Sequence, residues 1–183
     1  EGAAIREHGV IKHIAAASLR RSVTLGGRQR TGYAAGWGDV STAFHSTGIP
    51  NIAVYFPLRR RLALAMRAMQ LASPLLRIPM VRSAAEAFVD ARARGPDART
   101  QATRRVHLWG EVRDAAGRTM VGTGETPEPY AFTAVSAVEL VERVCAGKAS
   151  AGYHTPSSAF GAGFLEALPG CALRLDYAQA KTA

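Results

Sequence analysis

The stretch VHLWGEVRDAAGRTMVGT, Val106 to Thr123, decides what kind of sheet this chain builds. Val106 to Val112 alternates, the period of a strand with one face covered. Asp114-Ala115-Ala116-Gly117 supplies turn chemistry, and Arg118 to Thr123 returns as a second strand. Strands joined so tightly run antiparallel, because a parallel pair needs a crossover of roughly a dozen residues. A long helix follows, opened by Pro129 and ending near Ala146, with Gly147 where a C-cap belongs. Its expected buried stripe is Ala134, Val138, Val141 and Cys145, with Glu139, Glu142 and Arg143 in solvent.

Upstream, the first third reads as strands. Ile5 to Glu7 and Val10 to Ala16 make a hairpin about His8-Gly9, and Arg21 to Leu25 pairs with Arg30 to Ala35 across Gly26-Gly27. Asp39 is placed as the N-cap of a short helix that Gly48-Ile49-Pro50 ends, and Asn51 to Phe56 reads as a buried strand. Leu58 to Leu71 repeats apolar residues at helical steps, with Leu62, Met66 and Met69 as its stripe. Ser73-Pro74 begins another segment that Pro79 interrupts. A further helix is expected from Val81 to Ala93, with Ala84, Ala85, Phe88 and Val89 inward. Gly95-Pro96-Asp97 to Arg105 is expected to be a mobile loop. Downstream, Thr155-Pro156 opens a last helix, Pro169-Gly170 stops it, and Cys171 to Tyr177 is a strand.

This order lacks the strict strand-helix alternation of a doubly wound fold. The expected class is α+β: a mixed, largely antiparallel sheet with helices mainly on one face, in one domain over 1–183. With 183 residues, the chain is long enough to bury a core without staples. Cys145 and Cys171 lack metal-site spacing and are expected to be buried free thiols, consistent with a reducing cytoplasm. The first residue is Glu1, with neither methionine nor secretory leader, so the expectation is a piece of a longer chain.

The net charge of +9 is carried almost wholly by arginine, the lysines being Lys12, Lys148 and Lys181. Arginines gather at Arg59-Arg60-Arg61, at Arg92 and Arg94, and at Arg104-Arg105. No nucleic-acid-binding motif accompanies them, so no nucleic-acid partner is expected. A solvated arginine-rich face is the simplest reading, with weak contact to an anionic membrane as a further expectation.

Chemistry-bearing motifs are sparse. Gly122-Thr123-Gly124 and Gly161-Ala162-Gly163 lack the third glycine of a dinucleotide fingerprint, and there is no Walker lysine, nucleophile elbow or paired-histidine metal motif. The expectations are no cofactor-binding residue and no metal in this chain. The candidate site is instead HSTGIPNIAVYF, His45 to Phe56. His45, Ser46, Thr47 and Asn51 crowd the turn, with Trp37 as a flat wall and Asp39 as a cap or a charge. On one reading these six residues bind a polar substrate in a cleft. On the other, Ser46, Thr47 and Asn51 merely satisfy backbone groups around the turn.

Three stretches together resemble a known family. WGDVSTAFHSTGIPNIAVYF (Trp37 to Phe56), LWGEVRDAAGRTMVGTGETPEPYAFTAVSAVELVERV (Leu108 to Val144) and TPSSAFGAGFLEALPG (Thr155 to Gly170) are similar, in collinear order, to the C-terminal half of the saccharopine dehydrogenase-like oxidoreductases. The nearest branch is the bacterial one that includes trans-acting enoyl reductases. The resemblance implies a substrate-side or dimerisation domain, not competent alone. Its partners would be an N-terminal Rossmann domain carrying NAD(P), a second copy in a homodimer, and a small-molecule or lipid-like substrate. No catalytic residue is carried over, because none matches by motif. The competing reading is a non-enzymatic binding or assembly module that docks the arginine-rich helix on a membrane or an acidic partner.

Overall fold

The computed structural model describes residues 2–74, 78–91 and 95–178. About 39% of the chain is helix and 31% strand, and the strands form three small antiparallel sheets, which makes the class α+β. The chain groups into two compact units, Glu1–Thr24 with Gln29–Gly95, and Leu25–Arg28 with Pro96–Ala183. No helix among the described residues is long and apolar enough to cross a membrane.

In the first unit, β1 (Ala3–Glu7) and β2 (Val10–Ile14) form a hairpin in register from Ala3↔Ile14 to Glu7↔Val10. β3 (Arg20–Leu25), β4 (Arg28–Ala35) and β5 (Val54–Pro57) form a second sheet with β4 in the middle. Helix α1 (Asp39–Thr47) connects β4 to β5, followed by α2 (Arg60–Leu71) and α3 (Pro79–Asp90). The core is small: Ala3, Ala16, Tyr33, Ala34, Val40 and Ala63 are buried. Arg6 is buried with them; its Nε donates to the Val40 carbonyl at 2.9 Å and Nη1 to that of Gly9 at 2.6 Å. Its guanidinium lies 4.3 Å from the centre of the Phe44 ring, so one cation ties the first hairpin to α1.

In the second unit, β6 (Arg105–Arg113), β7 (Thr119–Pro127) and β8 (Ala172–Ala178) form a sheet with β7 central. The opening stretch is thus a hairpin in register from Arg105↔Pro127 to Arg113↔Thr119. Asp114 clasps its turn, accepting from the Arg118 backbone N–H at 2.9 Å and from Nε at 2.6 Å. The Arg118 bond holds the Asp114 carboxyl below its ordinary range. Helices α4 (Ala98–Thr103), α5 (Pro129–Cys145) and α6 (Pro156–Phe160) complete the unit, with a 3-10 turn at Ala162–Phe164. Thr155 caps α6 in a capping box with Ser158, as the Thr-Pro pair foretold.

Several expectations change. Residues 95 to 105 include α4, which Asp97 caps by accepting from the Thr100 N–H at 2.7 Å; the Thr100 side chain first, and this backbone bond second, lower the Asp97 carboxyl below its usual range. Pro79 opens α3 rather than interrupting a segment, because its missing N–H costs nothing in a first turn. Ala84 and Phe88 are exposed, whereas Ala85 is half-buried; the side chain of Val89 and residues 92–94 lie outside the described set, including the Arg92 and Arg94 cluster. β5 is half-buried to exposed rather than buried.

The largest correction is the face of α5. Val138 and Val141 are exposed to 60% and 61%, while Phe132, Ser136, Leu140 and Arg143 are half-buried. Both faces obey the helical period, so spacing alone does not choose between them. The packed face carries the larger apolar groups and a charge with partners. Arg143 donates to Glu139 at 2.7 Å and lies 4.9 and 5.5 Å from the ring centres of Phe164 and Phe160. The expected assignment of Glu139 and Arg143 to solvent is corrected with it.

Candidate functional site

α1 explains most of the polar residues singled out in the sequence. Gly38, not Asp39, is the N-cap, and Asp39 is the first helical residue. Gly48 caps the other end at φ 69°, a left-handed geometry open to glycine, and its N–H reaches the Phe44 carbonyl at 2.8 Å. Asp39, an acid in the first turn, suits the helix dipole.

The six candidate residues therefore fall at two places. Asp39 and His45 stand at opposite ends of a nine-residue helix, about 9 Å apart along its axis at 1.5 Å per residue. Trp37, 54% exposed, packs on Phe56 at 5.5 Å between ring centres. Ser46 donates to the Thr42 carbonyl at 3.1 Å; Thr47 donates to that of Ala43 at 2.6 Å and accepts from the Ile49 N–H at 3.2 Å. Asn51 Oδ1 accepts from the His8 N–H at 2.9 Å, pinning the first hairpin's turn to the Pro50 segment, where the Gly9 N–H also reaches the Pro50 carbonyl at 2.8 Å. These bonds give Thr47 and Asn51 the backbone-satisfying role. His45 is exposed with its ring edge-on to Phe44 at 5.6 Å, and among the described residues its nitrogens make no hydrogen bond.

Two concave surfaces of the first unit lie elsewhere. An open groove of about 440 Å³ is lined by Arg20, Arg30, Arg59 and Arg60 with Tyr33 and Thr31. A cavity of about 230 Å³ beside it shares Arg20, Tyr33 and Arg60 and adds Arg67, Ala63 and Leu64. No carboxylate lines either one. Sequence reading found Arg59 and Arg60 as a run but missed Arg20, Arg30 and Tyr33, which β3 and β4 bring to them. Alternation along those strands was the available signal, but it does not say which strand α2 lies against.

In the second unit, His107 on β6 has Nδ1 3.7 Å from Glu125 on β7, and Arg105 lies 3.9 Å from the same carboxylate. The trio is part-exposed on the sheet, as befits cross-strand charge pairing. His154 Nε2 is 3.1 Å from the Ser150 hydroxyl, just before the α6 cap. No group of three or more metal-ligating side chains occurs among the described residues.

Both cysteines are free, but Cys145 is exposed rather than buried, a consequence of the α5 face. Burial pushes the Cys171 thiol up, with Arg105 opposing. Because the thiolate is the nucleophile, alkylation with iodoacetamide near neutral pH is expected to modify Cys145 well before Cys171. Peptide mass mapping over time checks the order; equal rates would contradict the placement of α5.

Comparison with family models, curated proteins and solved structures gives no match to this chain.

Proposed function

We propose that this chain is the substrate-side and dimerisation domain of a saccharopine dehydrogenase-like, NAD(P)-dependent oxidoreductase of the bacterial branch, not competent alone. The collinear sequence resemblance supports the family. The structural observation that carries the reading is the α5 face. Val135, Val138, Val141 and Val144 are exposed to 44–61% along one side of a helix, and apolar surface of this kind marks a contact with another domain or copy. An N-terminal Rossmann domain would carry the nucleotide, and a homodimer would cover apolar surface. The substrate would be a small or lipid-like molecule handled in the cytoplasm. Of the candidate site residues, Asp39 and His45 have side chains with no hydrogen bond or ion pair among the described residues, which leaves them available to a polar substrate.

The coding sequence upstream of Glu1 tests the reading. A strand followed by a GxGxxG turn and a helix supports it; a stop codon followed by a local start refutes it. Self-association is a further consequence. Sedimentation velocity should show association that grows with concentration and is lost in Val138→Asp, a substitution that disturbs no buried contact. A strict monomer across a wide concentration range would count against a dimerisation role.

The exposure of Leu62, Met66 and Met69 on α2, at 51%, 42% and 62%, favours one second reading, the binding module. That apolar stripe is short for a stable anchor. Salt-resistant binding to neutral vesicles would replace the oxidoreductase reading with this one.

A further inference from the structure

From the paired cavities of the first unit we infer that the arginine-lined groove at the start of α2 is a binding site for a phosphate-bearing anion of at least diphosphate charge. The inference goes beyond the oxidoreductase reading and does not depend on it.

Charge comes first. Arg20, Arg30, Arg59, Arg60 and Arg67 converge on two adjoining cavities with no acid in their walls. Among the described residues none of these five forms an ion pair, although Arg82, Arg118 and Arg143 each hold a carboxylate four residues away. Clustered like charges repel, and a multivalent anion removes that conflict. Guanidinium forks match phosphate oxygens two at a time, so several arginines can share one diphosphate.

The helix adds to it. α2 is twelve residues long, its N-cap Arg59 makes no side-chain cap, and its first turn holds no acid. Three consecutive arginines, Arg59 to Arg61, stand at the positive end of the helix dipole, where cations are unfavourable and anions favourable. Leu58, Arg59 and Arg60 line the larger groove, so an anion held there sits beside that helix end.

Tyr33 is the independent observation. It is only 8% exposed and lines both cavities. Among the described residues its hydroxyl has no hydrogen-bond partner, and no buried side-chain polar atom is left sealed without one. The hydroxyl therefore opens on the cavities as a donor ready for an anion. The larger cavity, about 440 Å³, lies in the ordinary range for small-ligand sites.

Titration calorimetry of the 183-residue chain with inorganic pyrophosphate at low salt tests the proposal. The expected isotherm is saturable, with a single site per chain. Affinity is expected to fall roughly tenfold or more in Arg60→Glu and in Arg20→Glu, since each removes a charge-assisted contact. Tyr33→Phe is expected to weaken binding less. Arg99→Glu, on α4 in the second unit, changes net charge equally and is expected to leave affinity unaltered. All the substituted arginines are exposed, so folding is not at risk; circular dichroism confirms it. A non-saturating isotherm, or equal losses in Arg60→Glu and Arg99→Glu, would overturn the site and leave the arginines merely solvated. A second arm identifies the source of the phosphate. Cosedimentation with vesicles containing phosphatidylinositol 4,5-bisphosphate, reversed by pyrophosphate and absent with phosphatidylcholine alone, assigns a lipid headgroup. Pyrophosphate binding without cosedimentation assigns a soluble ligand.

Discussion

Substituting Arg6 by alanine is expected to destabilise the first unit by about 3 kcal/mol, from two lost charge-assisted hydrogen bonds and a cavity among buried neighbours. Arg6 is 7% exposed and has no carboxylate partner among the described residues; its charge is met by the Val40 and Gly9 carbonyls and the Phe44 ring. Its backbone also exchanges both hydrogen bonds with Ile52, at 2.8 and 3.0 Å. Removing the side chain frees two carbonyls from their partner and loosens the hairpin from α1. Lysine would keep the charge but not the fork and is expected to recover less than half the loss. Urea unfolding followed by Trp37 fluorescence in a Trp109→Phe background reads this unit alone. A midpoint shift equivalent to less than about 0.5 kcal/mol would mean that water replaces the arginine without cost.

Glu128→Ala is expected to cost about 2 kcal/mol in the second unit, the upper end for loss of a helix cap, because the group is buried. Glu128 is 2% exposed, and its Oε2 accepts from the Tyr130 and Ala131 N–H groups at 2.8 and 3.3 Å. A carboxylate there meets the positive end of α5, the longest helix described, with Pro129 in its first turn. Glutamine keeps an acceptor without the charge and should fall between the two. Hydrogen exchange along α5 is the suitable measurement, since loss of the cap should raise exchange from the first turn inward. Equal protection in Glu128→Ala and the natural chain would show that Glu128 does not stabilise the start of α5.

Local chemistry was legible in the sequence, and long-range choice was not. The Asp114–Gly117 turn, the end of α1 at Gly48-Ile49-Pro50, the Thr155-Pro156 start and the antiparallel hairpin each follow from adjacent residues, and each is present. The α5 face was misread because two stripes share one period, and the choice between them is made by packing on β7, α4 and the Phe160–Phe164 pair, none of which adjoins the stripe in sequence. α4 was missed because a six-residue helix, under two turns and held by one Asp97 cap, has almost no periodicity to show. In the candidate site, the backbone-satisfying reading of the polar residues around Gly48 was legible, and the local bonds of Thr47 to Ala43 and Ile49 agree with it; the partner of Asn51, the His8 N–H, lies 43 residues away and was not legible. The arginine groove needed β3, β4 and α2 to meet, and no window of sequence contains all three.

The most direct test of the oxidoreductase reading is a fluorescence titration of the whole encoded polypeptide with NADPH, following nicotinamide emission. A saturable change in that emission is expected to persist in Arg60→Glu, because on this reading the nucleotide would sit on the Rossmann domain and not on the arginine groove. No saturable change, or one abolished by Arg60→Glu, would contradict it.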